Sequence, residues 1–146
     1  MLKITEIRLI NPSEAAAPAQ LPLYSEAVQA GFPSPAQDHI EKQLDLNEYL
    51  VSHPVATFFV RVQGESMREA DIHSGDILIV DRSLEATNGK IIVAVLNGEF
   101  TVKRLRKENG QLWLLPENDD FEPIPVTPES DFEVWGVVTW IIHRAT

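Results

Sequence analysis

The sequence predicts a mainly β domain, folded over its own curved sheet and preceded by an extended N-terminal arm. Short apolar and β-branched runs, with turn signals between them, begin at Ala56. Residues 1–54 instead hold six of the ten prolines and show little strand pattern. We therefore predict an arm over residues 1–54 and a β domain over residues 55–146.

Within the arm, only one stretch has helical spacing. It reads DHIEKQLDLNEYLV, begins at Asp38, and places Ile40 and Leu44 four residues apart. Asp38 suits the N-cap of a helix, and Glu41 stands at the matching position of a capping box. The pattern predicts a short helix or turn here and an extended chain before it.

The strands of the β domain follow in chain order. The run ATFFVRVQG is β-branched and aromatic and ends on Gly64, whereas DILIVD is a continuous apolar run typical of a buried strand. The run KIIVAVLNGEFTVKRL contains two strands joined by Asn97-Gly98, the strongest short hairpin signal. After a second turn at Asn109-Gly110, QLWLLP and FEVWGVVTWIIHR complete the predicted sheet.

Composition excludes several classes of protein. A chain of 146 residues with 44% hydrophobic and 23% charged residues is globular and suits one domain of ordinary size. Because it has no cysteine, disulfides, thiolate catalysis and cysteine-based zinc sites are excluded. No apolar run approaches the roughly 18 residues that span a bilayer, and the N-terminus lacks a secretion signal. We expect a cytoplasmic protein that does not contact membranes.

The charge of the chain argues against direct DNA binding. The formal net charge is -10, whereas affinity for DNA comes largely from neutralised phosphates. The one basic cluster, residues 103–107, lies in a strand pattern that sends its charges to opposite faces. This cluster is interpreted as a solvated strand end, and no direct sequence-specific DNA binding is expected.

Gly64-Glu65-Ser66-Met67 follows the first long strand and is a candidate nucleophile loop. A glycine before a serine lets the backbone turn sharply, which exposes the hydroxyl and aims nearby N–H groups at one point. A developing oxyanion needs such donors. The tetrapeptide alone is weak evidence, because a serine after a glycine in a turn is usually only a turn serine.

A nucleophilic serine needs a base, and Lys103 is the candidate. The four histidines stand in no recognisable triad signature. Lys103 shares a strand face with Thr101 and Leu105, so its side chain can point inward. Burial would lower the pKa of the lysine and let it accept a proton. A salt-bridged surface lysine remains the competing interpretation.

A metal site is the weaker interpretation of the acidic and histidine residues around Ser74-Gly75. Asp71, His73, Asp76 and Asp81 are separated by turns and by strand alternation. This placement favours caps at strand ends over a set of metal ligands. No cofactor is expected.

Several separated motifs in the right order resemble the LexA/UmuD family of self-cleaving serine peptidases, of the S24 type. They are VQGESMREADIHSGDILIVDRS, then GEFTVKRL, and upstream AVQAGFPSPAQDHIEKQLDLNEYLVSHPVATFF. The resemblance begins near Leu21 and implies a curved β domain like that of LexA and the signal peptidases. Too few residues precede Ala30 for a helix-turn-helix domain, which favours the UmuD-type members, although the stretch NPSEAAAPAQ departs from their pattern.

The resemblance implies roles for particular residues. Ser66 would be the nucleophile and Lys103 the general base. The backbone N–H groups of Glu65 and Ser66 would form the oxyanion hole. The bond between Ala30 and Gly31 would be the one that is cut.

The substrate stretch also makes physical sense. Ala30 and Gly31 have little bulk, so a nucleophile can approach the bond between them closely, and Val28 offers an apolar anchor upstream. The prolines after Gly31 disfavour helix and keep the chain extended. Closing the loop back to the β domain costs only a modest, logarithmic penalty.

The family resembled also implies partners. Self-cleavage would be stimulated by a RecA–single-stranded-DNA filament. The processed homodimer would join a UmuC-type Y-family polymerase for error-prone translesion synthesis in the SOS response. A catalytically silent β module that regulates polymerases through its arm is the alternative. A membrane signal peptidase, which uses the same dyad, is disfavoured by the missing membrane anchor.

A second motif lies in the arm. The stretch QLPLY resembles the short clamp-binding peptide of bacterial polymerases, with Gln20 followed by Leu21, Leu23 and Tyr24. These apolar residues would enter a groove of the sliding clamp. Packing of the same residues onto the β domain is an equally good interpretation.

Overall fold

The computed structural model describes residues 3–9, 20–24 and 40–146, and it is mainly β, as predicted. Its contacts divide the chain into two compact units, one of Met1–Pro12 with His53–Thr146 and one of Ser13–Ser52. The expected cleavage site at residues 30 and 31, with Val28, lies outside the described residues.

The larger unit is built on one antiparallel sheet with the strand order β1-β4-β5-β10-β6-β7-β8-β9. Its strands are β1 (Lys3–Leu9), β4 (Thr57–Gln63), β5 (Ile77–Asp81), β6 (Ile91–Leu96), β7 (Glu99–Glu108), β8 (Gln111–Leu115), β9 (Ile124–Val126) and β10 (Phe132–Ile142). Both predicted hairpin turns are confirmed. Asn97-Gly98 joins β6 to β7 and Asn109-Gly110 joins β7 to β8, each with positive φ at both residues, as a tight hairpin requires.

The core lies in two clusters of buried side chains. The first contains Phe58, Val60, Val62, Met67, Ile72, Leu78, Val80, Val93 and Val102, and the second contains Ile92, Ala94, Leu105, Leu114 and Val137. Strand β5 is buried along nearly its whole length, which confirms the interpretation of DILIVD. The first cluster includes Met67, which is next to Ser66 in the chain, and Val102, which is next to Lys103.

Gly136 allows the backbone of β10 to lie close to the neighbouring strand β5. The register of β10 against β6 shifts between Val134 and Gly136, as at a β-bulge. A Cβ atom at Gly136 would lie 2.6 Å from Cγ1 of Val80 and 3.1 Å from the carbonyl oxygen of Asp81. Only glycine fits this approach without a displacement of β5.

The smaller unit corrects the helix predicted from Asp38. Residues Ile40–Asp45 form strand β3, which pairs with β2 (Gln20–Tyr24), and only Leu46–Leu50 form a helix, α1. The N-cap is Asp45, whose carboxylate accepts the backbone N–H of Asn47 at 2.9 Å. Pairing with β2 satisfies the backbone groups of residues 40–45 that face β2, and this favours the extended form there. Across the described ranges, no helix has the length and apolar character to cross a membrane.

Residues 3–9 of the expected arm form a strand of the β domain, which the sequence pattern did not indicate. Strand β1 pairs antiparallel with β4, from Lys3 opposite Gln63 to Leu9 opposite Phe58. Ile4 is half-buried and packs against the first core cluster. The prediction of little strand structure before residue 54 was therefore wrong, because it considered local pattern and not pairing with a distant strand.

Candidate active site

Ser66 lies on a turn directly after β4. Gly64 has a φ of 119°, a conformation that other residues rarely adopt, so the glycine makes the sharp exit from the strand possible. The hydroxyl oxygen of Ser74 accepts the backbone N–H of Gly64 at 2.8 Å and fixes the turn. Ser66 itself is 0% exposed. The predicted sharp turn at the glycine is confirmed, whereas the expected exposure of the serine hydroxyl is wrong, because Ser66 is buried.

A second segment, just after β8, holds the serine turn from the other side. The backbone N–H of Glu117 donates to the carbonyl oxygen of Ser66 at 2.8 Å, and the N–H of Glu69 donates to the carbonyl of Glu117 at 2.7 Å. The side-chain amide of Asn118 donates to the carbonyl oxygen of Glu65 at 2.8 Å. These bonds fix the backbone on both sides of the Glu65–Ser66 peptide.

Asn118 is itself held in place. Its side chain is buried, and its amide oxygen accepts the backbone N–H of Asp120 at 3.0 Å. The N–H of a trans peptide points away from the C=O of the same peptide. By holding the carbonyl of Glu65, Asn118 therefore also sets the direction of the Ser66 N–H, one of the two expected oxyanion donors.

Lys103 lies on β7 and points into the interior. It is 2% exposed, and its strand-face neighbours Thr101 and Leu105 are also buried. Its Nζ donates to Oγ1 of Thr101 at 2.6 Å and to the carbonyl oxygen of Val102 at 3.2 Å. Burial lowers the pKa of Lys103 to about 8, because the charged ammonium is poorly solvated there. The inward position considered from the strand pattern is the one observed.

The serine turn and the lysine strand meet in the same part of the core. Met67, which follows Ser66, and Val102, which precedes Lys103, belong to one cluster of buried side chains. Strands β4 and β7 are not neighbours in the sheet order, so curvature of the sheet must bring their residues together. A buried serine and a buried lysine of lowered pKa are residue types that can supply a nucleophile and its base.

Of the four residues considered as metal ligands, Asp76 and Asp81 lie at the two ends of β5, and each pairs with a histidine from outside that set. Nδ1 of His53 and Oδ2 of Asp81 are 2.6 Å apart, and Nδ1 of His143 and Oδ1 of Asp76 are also 2.6 Å apart. Asp76 additionally accepts the backbone N–H of His73. In the part of the chain that the structure describes, no group of three or more such residues is arranged to hold a metal ion.

The basic cluster at the end of β7 is engaged by other side chains. Arg104 forms an ion pair with Glu117, and the guanidinium of Arg106 lies 5.6 Å from the ring centroid of Trp113. Lys107, farther along the strand, is exposed. The interpretation of the cluster as a solvated strand end therefore holds for Lys107 and is wrong for Lys103, which is buried.

The motif QLPLY forms β2, which pairs with β3 from Gln20 opposite Asp45 to Tyr24 opposite Ile40. The side chain of Leu21 is 60% exposed and that of Leu23 is half-buried. An exposed leucine on this strand leaves an apolar group available to another molecule.

Sequence reasoning did not identify Asn118 or Ser74, which position the serine turn. Asn118 lies in the polar run PENDD after β8, and Ser74 lies in a Ser-Gly turn. Both patterns read as ordinary loops, because side-chain bonds to a distant backbone leave no local signal. A buried asparagine becomes informative only when its partners are known.

Comparisons with known proteins point the same way. The Peptidase S24-like family matches residues 22–139. Protein MucA of Salmonella typhimurium is 45% identical over 92% of both chains, and Protein SamA of the same organism is 43% identical over 93% of this chain and 94% of its own. The LexA repressor of Bordetella parapertussis is 42% identical over 94% of this chain and 67% of the repressor. The resemblance stated from the sequence motifs, and with it a role among the mutagenesis proteins of the UmuD type, is confirmed.

Proposed function

The chain belongs to the Peptidase S24-like family, a family of self-cleaving serine peptidases, and we propose that it cuts its own Ala30–Gly31 bond with Ser66 and Lys103. The observation that carries this proposal is the state of Lys103, which is 2% exposed and has a pKa of about 8. At neutral pH a substantial fraction of such a lysine is uncharged. In this proposal the uncharged amine reaches the hydroxyl of Ser66 and is the base that the chemistry needs.

The hydrogen bonds of Lys103 support the same role. A neutral amine has two N–H groups and one lone pair. Both N–H groups can be used by Oγ1 of Thr101 and the carbonyl oxygen of Val102, which accept from Nζ. The lone pair of Nζ then remains available to accept the proton of a hydroxyl.

The reaction proceeds in two halves. Nζ of Lys103 takes the proton of the Ser66 hydroxyl as Oγ attacks the carbonyl carbon of Ala30, and the N–H groups of Glu65 and Ser66 donate to the resulting oxyanion. The C–N bond breaks, and the protonated Lys103 returns its proton to the amine of Gly31. Water then attacks the ester on Ser66, again with Lys103 as base, and releases the carboxylate of Ala30.

The arm supplies the substrate in this proposal. Residues 1–54 act as the arm, and residues 55–146 act as the peptidase and dimerisation domain. Val28 serves as the apolar anchor upstream of the two small residues at the cut. Strand β2 precedes the cleavage segment in the chain, strand β3 follows it, and the two strands pair with each other. This pairing supports a chain that presents the cleavage segment between them.

The partners belong to the same proposal. A RecA–single-stranded-DNA filament accelerates cleavage by binding the cleavage-ready form more tightly, which raises its population. The processed homodimer then serves a UmuC-type Y-family polymerase in translesion synthesis, in the cytoplasm. The relatedness to MucA and SamA supports this assignment.

The test of the proposed function is a mass measurement. Purified protein is incubated at pH 7 and at about pH 10, with and without RecA filament, and the masses of the products are followed. Two fragments are expected, one that ends at Ala30 and one that begins at Gly31, and they should form faster at the higher pH. Intact protein under every condition would refute self-cleavage.

Substitution of Asn118 should slow cleavage without preventing folding. Asn118→Asp keeps the oxygen that accepts the Asp120 N–H but loses the amide that donates to Glu65. We expect the rate of self-cleavage to fall about tenfold or more. Complete loss of one oxyanion donor lowers a rate by about 10²–10³-fold, and misdirecting the donor should cause part of that loss. Because Asn118 acts through the Glu65–Ser66 backbone, the midpoint of the pH–rate profile should remain at the pKa of Lys103. An unchanged rate, or a shifted midpoint, would contradict this role.

The exposed face of β2 is proposed to bind the sliding clamp in the uncleaved protein. Leu21, which is 60% exposed, would enter the apolar groove with Leu23 and Tyr24. A Leu23→Ala/Tyr24→Ala variant should then bind immobilised clamp at least about tenfold more weakly, because burial of two such side chains contributes several kcal/mol. Equal affinity of this variant and the unchanged protein for the clamp would contradict clamp binding by this motif.

A further inference from the structure

Strand β1 covers the outer edge of the strand that leads to Ser66. Its residues pair with β4 in antiparallel register, with Ile4 opposite Val62, Glu6 opposite Arg61 and Ile7 opposite Val60. On its other side β4 pairs with β5, and β1 is the terminal strand of the sheet. As long as β1 is in place, β4 is an interior strand.

Self-cleavage changes this arrangement, if the proposed function holds. Residues 3–9 precede the Ala30–Gly31 bond and β4 follows it, so the cut removes the covalent link between the two strands. Before the cut, β1 is held near β4 at a high effective concentration. Afterwards it belongs to a separate fragment, residues 1–30, which among the described residues is held by the pairings of β1 with β4 and of β2 with β3 and by contacts of β1 with β7. Isolated strand pairings are marginal in water. We expect the fragment to leave.

Departure of β1 turns β4 into an edge strand. An edge presents a row of backbone N–H and C=O groups that are ready to pair with another extended chain. It also uncovers the place where Ile4 packs against the core cluster that contains Val62. The side chain of Arg61 is exposed on this strand and stands opposite an acidic position of β1.

We propose that self-cleavage uncovers the β4 edge as a docking site for an extended segment of another protein, which adds as an antiparallel strand. The features of β1 define the chemistry of this segment. It carries an aliphatic residue opposite Val62 and an acidic residue opposite Arg61, since opposite charges at facing positions favour pairing. The uncleaved protein is closed to such a partner because its own β1 occupies the edge.

The test uses a fluorescent peptide with the sequence of residues 1–12 as the probe. Its binding is measured with self-cleaved protein, with uncleaved Ser66→Ala protein, and with Ser66→Ala protein that also carries Ile4→Asp/Ile7→Asp. The last variant displaces β1 without any cut. The peptide should bind the first and third proteins at least about tenfold more tightly than the second, and an Ile4→Asp peptide should bind at least about tenfold more weakly.

Several results would overturn the proposal. These are equal binding of the peptide to all three proteins, binding to none of them, and co-elution of fragment 1–30 with the self-cleaved product. Dissociation of the product dimer by the peptide would assign the edge to a second copy of the chain and also overturn it. A protein that never cleaves itself would refute the proposed function alone, because the Ile4→Asp/Ile7→Asp variant still reports on the edge.

Discussion

Replacing Ser66 or Lys103 should abolish self-cleavage while the fold remains. Ser66→Ala removes the attacking oxygen, and Lys103→Met removes the base but keeps most of its buried volume. For residues that act as a unit, either loss alone removes nearly all of the catalytic effect, so each rate should fall by at least about a thousandfold. The rate is measured from the masses of the fragments over time, with circular dichroism to verify folding.

Two further lysine variants make the result specific. Lys103→Arg keeps the positive charge but cannot become neutral, because a guanidinium is not deprotonated in proteins, so this variant should be inactive. Lys107→Ala removes an exposed lysine from the same strand and should cleave at the normal rate. Cleavage by the arginine variant, or loss of cleavage in the Lys107 variant, would show that the base is elsewhere.

The rate of cleavage should follow the neutral fraction of Lys103. With a pKa of about 8, roughly one-tenth of the lysines are neutral at pH 7. At the ordinary value of 10.5 the fraction would be about one in three thousand, so burial raises it by about 300-fold. The rate of cleavage should rise with pH, because Lys103 must be deprotonated to act as the base.

The shape of the pH profile is equally constrained. Below the pKa of about 8, each pH unit should change the rate about tenfold, and above about pH 9 the rate should level off. First-order rates in the absence of filament, measured from pH 6 to pH 10.5, give this profile. A rate that does not depend on pH would contradict a lysine base, and a rise that continues beyond pH 10 would contradict its burial.

Local pattern was sufficient for most of the β domain and for the set of residues that share a strand face with Lys103. Asn97-Gly98 has few conformational alternatives to a tight hairpin, and alternation places Thr101, Lys103 and Leu105 on one face. What alternation could not decide was whether that face is buried, and burial is what lowers the pKa of the lysine. The strand pattern alone therefore favoured a surface lysine over the buried lysine that the structure shows.

The errors arose where distant segments decide the structure. Ile40 and Leu44 are four residues apart, a spacing that lies on one face of a helix but also on one face of a strand, so it did not discriminate between them. The pairing of β1 with β4 joins residues far apart in the chain and leaves no local mark. The bond from Asn118 to Glu65 is likewise a contact between segments, invisible in either one alone.

The central claim is that Lys103 is a buried, neutral base, and its own titration tests this most directly. The Ser66→Ala protein, which should not cleave, can be labelled with ¹⁵N-lysine and its Nζ resonances followed with pH, with Lys103→Met to assign the signal. The account predicts a pKa of about 8 for Lys103, matching the midpoint of the cleavage rate in the unchanged protein. Titration of Lys103 near its ordinary value of 10.5, or a rate midpoint that differs from its pKa, would contradict it.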